Sequence, residues 1–272
     1  DVVGSGGDRA NTVNISTMAA IVAASAGAKV IKHGNRAASS KCGTADCLEA
    51  LGVAIEVPSQ HHPEILDQVG MTFLFAPQFH SSLRHAASAR KELGVRTIFN
   101  FLGPLSNPAH PVAQAIGVAD QRIAAVMAGV LAGRGSRGLV FHGADGLDEL
   151  TTTTTSHVWL LDHARVVETV IDPVALGLQS ARPQDLVGGT PNHNAQVVRD
   201  VMAGQRGPVR DIVTLNAAAA LVAFDGPDLE GGFEDQLRST LSRAEKAIDS
   251  GAAAELLDRW VPLSQRAAAQ AS

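Results

Sequence analysis

The chain has 272 residues, 45% apolar and 18% charged, an ordinary balance for a globular protein with a full core. Its formal net charge is −5 and no basic stretch dominates, so a nucleic-acid protein is disfavoured and any anion must be held by local groups. Two cysteines, Cys42 and Cys47, are too few for a disulfide framework and have no histidine at zinc-like spacing; no run approaches the roughly twenty apolar residues that span a bilayer. The expectation is a soluble, cytoplasmic protein with reduced thiols and no membrane partner.

Asp1 to Val3 read as the end of a buried strand. Gly4, Gly6 and Gly7 follow, residues that tolerate positive φ and close approach of backbone amides to a ligand. A polar run leads to Asn14, Ser16 and Thr17, where the pattern turns helical. Strand, glycine loop and helix start together present free amides and a positive helix end to an anion, usually phosphate. There is no lysine after the glycines, so this is not the nucleoside-triphosphate loop, and the spacing is not the dinucleotide fingerprint. A tight turn is the bland alternative. A second loop, Lys32 to Ser40, follows another short strand, and two such loops can close on one ligand.

Met18 to Ala26 reads as a buried helix stopped at Gly27, Ala28 to Ile31 as a strand, and Ala45 to Leu51 as a helix ending at Gly52. Val53 to Val57 alternates as a strand closed by Pro58. Pro63 to Val69 is helical, Met71 to Phe75 a buried strand, and Ser82 to Leu93 a helix stopped by Gly94. Asn100 to Pro111 is a structured loop, followed by a strand to Val118, a helix from about Asp120 to Ala132, and a strand over Gly138 to His142. Trp159 to Leu161 and Val166 to Ile171 read as further strands, and Gly177 to Thr190 as loop. Helices are expected over Asn194 to Met202, Val209 to Val222, Phe233 to Asp249 and Ala252 to Trp260. Strands alternating with helices predict an α/β fold with a mainly parallel sheet flanked by helices.

The glycine loop, the Asn14, Ser16 and Thr17 element and the Lys32-His33-Gly34-Asn35-Arg36 loop together resemble the anthranilate phosphoribosyltransferases. So do Arg90 to Gly94, Phe99 to Pro108, His142 to Glu149 and the Leu215-Asn216-Ala217 helix, in the same order and across the whole chain. The resemblance implies a nucleoside phosphorylase and phosphoribosyltransferase-like fold. It implies transfer of phosphoribose from 5-phosphoribosyl 1-pyrophosphate to the anthranilate amine, a step of tryptophan biosynthesis, with Mg2+ and as a homodimer. No strong base is required, because an aromatic amine is uncharged at neutral pH; positioning and electrostatics would supply the rate. Two alternatives stay open, a pyrimidine nucleoside phosphorylase and a non-catalytic nucleic-acid-binding relative.

By this resemblance the phosphoribosyl pyrophosphate site comprises Gly4, Gly7, Asp8, Thr12, Asn14, Ser16, Thr17, Lys32, Asn35, Arg36, Ser39, Ser40 and Thr44. The first loop would take the pyrophosphate, and the Lys32 loop the 5′-phosphate and ribose. For Ser16 and Thr17 a plain helix cap is the alternative, using the same free amides. Anthranilate would meet Gly4, His33, Asn35 and Arg90, whose guanidinium forms two parallel hydrogen bonds with a carboxylate. Ser16, Asp148 and Glu149 would hold magnesium, which favours a few carboxylates completed by water and phosphate oxygens. Thr151 to Thr155 is expected to be β-prone and without chemistry.

Three departures stand out. Arg9 occupies a position that is normally glycine in the family, Leu83 one that is often tyrosine, and Ser5 one that is usually threonine. The chain starts without Met just before its glycine loop, so the expectation is a catalytic domain over 1–272. An upstream helical region would be missing, and about 80–110 would contribute to a small helical domain.

Overall fold

Strands form where β-branched and aromatic residues cluster, and helices where alanine and leucine recur, many of them stopped by glycine or proline. The computed structural model describes residues 1–37, 40–80, 92 and 99–270. In chain order the elements are β1 (Val2–Gly4), α1 (Ile15–Ser25), β2 (Val30–Gly34), α2 (Thr44–Leu51), α3 (His62–Val69) and β3 (Met71–Phe75). Then come β4 (Ala113–Gly117), α4 (Gln121–Gly133), β5 (Arg137–Gly143), β6 (Ser156–Asp162) and β7 (Arg165–Ile171). The chain closes with α5 (Pro191–Met202), α6 (Pro208–Asp225), α7 (Phe233–Asp249) and α8 (Ala252–Ala269).

The main sheet has the order β1-β4-β5-β6-β7. Its first three strands are parallel, and β6 and β7 extend it as an antiparallel hairpin. A separate parallel pair joins β2 to β3. The fold is thus the expected α/β arrangement, with the hairpin as its antiparallel edge. Alternate residues of the central strands face opposite layers: Ala115, Leu139 and Phe141 join the large core under the helices, while Ile116, Val140 and Trp159 join a smaller one under α4.

The predicted helices from α1 to α7 form within a few residues of their expected bounds. Two expectations are corrected. Val53, Ile55 and Val57 alternate inward as read, yet no strand forms there among the described residues. The backbone N–H of Ala54 instead donates to Ser264 Oγ on α8, so a helix takes the place of a partner strand. The last helix does not stop at Trp260 but runs through Pro262 to Ala269. One missing donor is tolerated because Leu263, Ser264 and Ala267 stay buried against the core. The Ser82 to Leu93 helix and most of 80–110 lie outside the described residues.

Candidate active site

Three strands deliver loops from their C-terminal ends to one side of the sheet, where α/β folds place ligands. A cavity of about 580 Å³ opens there. It is lined by the glycine loop from Gly4 to Asp8, the stretch from Asn11 to Ser16, the loop from Lys32 to Ala37, Ser40 to Thr44, and Asp148 with Glu149. α1 and α2 both begin at it, so two positive helix ends face the same space.

The glycine loop turns sharply, with Gly6 at φ 71 and Gly7 at φ 83. Arg9 also lies in the left-handed region, at φ 65, and Asn11 follows at φ 51. That geometry explains why glycine suits the Arg9 position: it alone enters the region without steric cost. The loop's exit is clamped from the far end of the sequence. Thr12 bridges Val187, Val13 N–H donates to Leu186 O at 3.0 Å, and Gly188 N–H to Asn11 O at 2.8 Å. The loop from Gly177 to Thr190 is therefore the back wall of the glycine loop, a role with no mark in its composition.

Asp148 and Glu149 are each 8% exposed and sit against the two anion-binding ends. Gly6 N–H donates to Asp148 Oδ2 at 2.6 Å, and the backbone amide of Ser16, in the first turn of α1, favours the charged form of the Glu149 carboxylate. A Cβ on Gly4 would lie 2.4 Å from Asp148 Oδ2, and one on Gly117 only 1.7 Å from the Asp148 carbonyl oxygen. Glycine is needed at both positions for the carboxylate loop to come this close. Burial, then the neighbouring Asp8 carboxylate, pushes the Asp148 carboxyl up to about 7. Burial and the adjacent Asp148 raise Glu149 well above its ordinary value.

The nearest cation is Lys32, only 1% exposed, whose ammonium donates to Val2 O and, at 3.2 Å, to Ser16 Oγ. Burial lowers its pKa to about 8, against the raising pull of Glu149 and Asp148. One buried ammonium thus faces a cluster of three carboxyl groups. Among the described residues no three His, Cys, Asp or Glu side chains converge as a closed metal site. A donor set of two buried carboxylates and a serine hydroxyl, short of positive charge, fits a hard cation that takes its remaining oxygens from phosphate and water.

His33 is buried, and its Nε2 lies 3.1 Å from His80 Nε2, the rings packed edge to face with centroids 4.9 Å apart. Burial, His80 and Lys32 lower its pKa to about 4, so the imidazole is neutral. Its backbone N–H donates to Asp1 Oδ1 at 3.1 Å, and Asn107 Nδ2 donates to the other Asp1 oxygen at 2.9 Å. Asn14 caps α1 without bonding its amides; its Oδ1 accepts from Asn194 Nδ2 at 2.8 Å and Cys42 Sγ at 3.3 Å.

Of the expected site residues, Gly4, Gly7, Asp8, Thr12, Asn14, Ser16, Lys32, His33, Asn35, Arg36, Ser40, Thr44, Asp148 and Glu149 share the cavity wall. Thr17 does not: it is fully buried, with its hydroxyl unpartnered among the described residues. α1 starts at Ile15, so Ser16 and Thr17 are first-turn residues rather than caps. Arg36 reaches the wall but forms ion pairs with Glu49 and, at 3.3 Å, Asp46. Ser39, Leu83 and Arg90 lie outside the described residues. Thr151 and Thr153 do not form a strand; both hydroxyls donate to Asp145, bracing the turn before Asp148. Sequence reasoning missed Asp1, His80, Asn107 and Asn194, which hold the lining residues from behind.

The family model for the glycosyl transferase family, a/b domain, matches residues 1–254. An anthranilate phosphoribosyltransferase from an Arthrobacter strain is 57% identical over 97% of this chain and 75% of its own length. The crystal structure of anthranilate phosphoribosyltransferase from Thermus thermophilus superposes with a TM-score of 0.88 at 42% identity, over 97% of this chain and 77% of that one. The Saccharomyces cerevisiae enzyme, solved with PRPP and Mg, gives a TM-score of 0.86 at 30% identity, over 97% and 73% of the two chains. The chain belongs to this glycosyl transferase family and, within it, to the anthranilate phosphoribosyltransferases.

Proposed function

We infer that this protein transfers phosphoribose from 5-phosphoribosyl 1-pyrophosphate to the amine of anthranilate, releasing pyrophosphate, in tryptophan biosynthesis. The observation that carries the reading is convergence: two strand-end loops, two helix N-termini and a buried Asp148-Glu149 pair meet on one cavity, in a chain of this family.

The residues divide the work by chemistry. The amides of the Gly4 to Asp8 loop and the Asn14 and Ser16 side chains would bind the pyrophosphate, as a nest of donors suits a leaving anion. Asn35, Arg36, Ser39, Ser40 and Thr44 would take the 5′-phosphate and ribose. Arg36 would exchange its Glu49 and Asp46 partners for phosphate to do so. Asp148, Glu149 and Ser16 would hold magnesium, whose charge, once bound, offsets that of the departing pyrophosphate. Thr17 belongs to this set only through its buried place in the first turn of α1.

Lys32 keeps its ammonium between Val2 O and Ser16 Oγ, offsetting the carboxylates from beneath. Neutral His33 presents a ring rather than a charge to an uncharged aromatic amine, with Gly4 and Asn35 beside it and Arg90 as the receptor for the anthranilate carboxylate. A homodimer in the cytoplasm, with no nucleic-acid or membrane partner and with 80–110 in a small helical domain, belongs to the same reading and rests on the family pattern.

The test is direct. The purified chain is incubated with magnesium, 5-phosphoribosyl 1-pyrophosphate and anthranilate, and anthranilate fluorescence and pyrophosphate release are followed together. Stoichiometric consumption of both substrates is expected. Phosphorolysis of a pyrimidine nucleoside, with anthranilate untouched, would overturn the reading.

A further inference from the structure

Cys42 and Cys47 take no part in the function above, yet they are not scattered. Gly43 caps α2, so Cys42 is the residue before the cap and Cys47 the fourth residue of the helix. Those two positions pack side chain against side chain at helix starts, where they usually hold a pair of apolar residues. Here both members carry sulfur, and the two thiols shift one another's titration. Both are buried, Cys47 fully and Cys42 at 7% exposure, but only Cys42 lines the cavity. One thiol therefore has an aqueous approach, and the other waits directly behind it.

We propose that Cys42 and Cys47 form a hydroperoxide-sensitive thiol pair that closes an intramolecular disulfide in the wall of the phosphate cavity. In the first step the Cys42 thiolate attacks the peroxide oxygen. An S–O bond forms, the O–O bond breaks, and the departing oxygen takes a proton to leave as water or an alcohol. In the second step the Cys47 sulfur attacks the Cys42 sulfenic sulfur. The S–S bond forms, the S–O bond breaks, and the hydroxyl leaves as water with the Cys47 proton. Two thiols lose two electrons, and one peroxide is reduced.

The surroundings favour this division of labour. The neighbouring Cys47 holds the Cys42 thiol below its ordinary value, while Cys42 and burial hold Cys47 above. Reactive thiols have thiolate character and access, and a resolving partner within reach. Closing an S–S bond of about 2.05 Å draws Cys42 away from Asn14 Oδ1, which its thiol now contacts at 3.3 Å. This consequence for ligand binding rests on the proposed function; the bond itself does not.

The experiment counts thiols in the full chain treated with hydrogen peroxide, by alkylation and intact mass, with no substrate present, so its outcome is separate from that of the activity assay. Both thiols should vanish together with the loss of two hydrogens per chain, and dithiothreitol should restore them. In Cys47→Ser, Cys42 should stop at a sulfenic acid that dimedone traps. Two alkylatable thiols surviving in the wild type would overturn the proposal. So would a disulfide between two chains, or oxidation of Cys42 to sulfinic acid with Cys47 untouched.

Discussion

Where α1 meets α6, both helices are rich in buried alanine: Ala19, Ala20 and Ala23 on one and Ala217, Ala218 and Ala219 on the other are all fully buried. At the cavity, Gly4 and Gly117 are just as small, but they admit the Asp148 backbone and carboxylate rather than another side chain. In the core small residues let two helices approach and exclude water, which stabilises the fold. At the cavity they bring two carboxyl groups and an ammonium into a buried space, which costs stability. The difference separates residues that hold the protein together from residues that the fold tolerates for their chemistry.

The largest effect should come from the acids. Asp148→Ala with Glu149→Ala should lower turnover about a thousandfold or more, the scale of losing transition-state electrostatics. Urea denaturation of the same variant should show stability unchanged or increased, because two desolvated carboxyl groups are gone. Wild-type turnover at low magnesium would break the contrast. On the core side, Leu215→Ala, at a fully buried position on α6, should cost about 2–5 kcal/mol in denaturation while leaving turnover per folded chain intact.

His33 tests the boundary between the regions. Its folded pKa of about 4 lies below the ordinary 6.5. Between those values the unfolded chain takes a proton that the folded chain refuses, so the stability is present above pH 6.5 and lost as pH falls towards 4. Denaturation midpoints at pH 7 and 4.5 should differ less in His33→Gln than in the wild type, by about 2 kcal/mol. The smallest effect is expected at Arg9. Arg9→Gly relieves a left-handed backbone and loosens the unfolded chain, for a net gain of about 1 kcal/mol or less, read from the same midpoints.

Most of this was legible before the structure, for physical reasons. Glycine runs, helix stops and alternating strands are local signals, and they placed β1, α1, β2, α2 and the central sheet. Asn216 entered only as part of the helix that carried the resemblance; it bonds both the N–H and the C=O of Leu150, fixing the chain beside Glu149. What escaped was non-local. Asn194 is a helix residue like any other until it meets Asn14, 180 positions earlier in the chain. Asp1 and Asn107 meet across 106 positions. Pro262 misled because a local rule for ending helices yielded to tertiary packing around α8.

The hydrogen bond from Gly6 to Asp148, and the pull of the Ser16 amide on Glu149, have a further consequence. The protein's own carboxylates take amides that the proposed function gives to a ligand's phosphates, as internal counterfeits of the substrate. On the proposed function, a diphosphate arriving at these amides would evict them, and eviction would release the oxygens that the magnesium would need. The two occupants therefore ease each other's entry, and reciprocity requires the help to be equal in both directions. Pyrophosphate should tighten magnesium binding by the same factor that magnesium tightens pyrophosphate, with the amides of two short turns acting as the exchange.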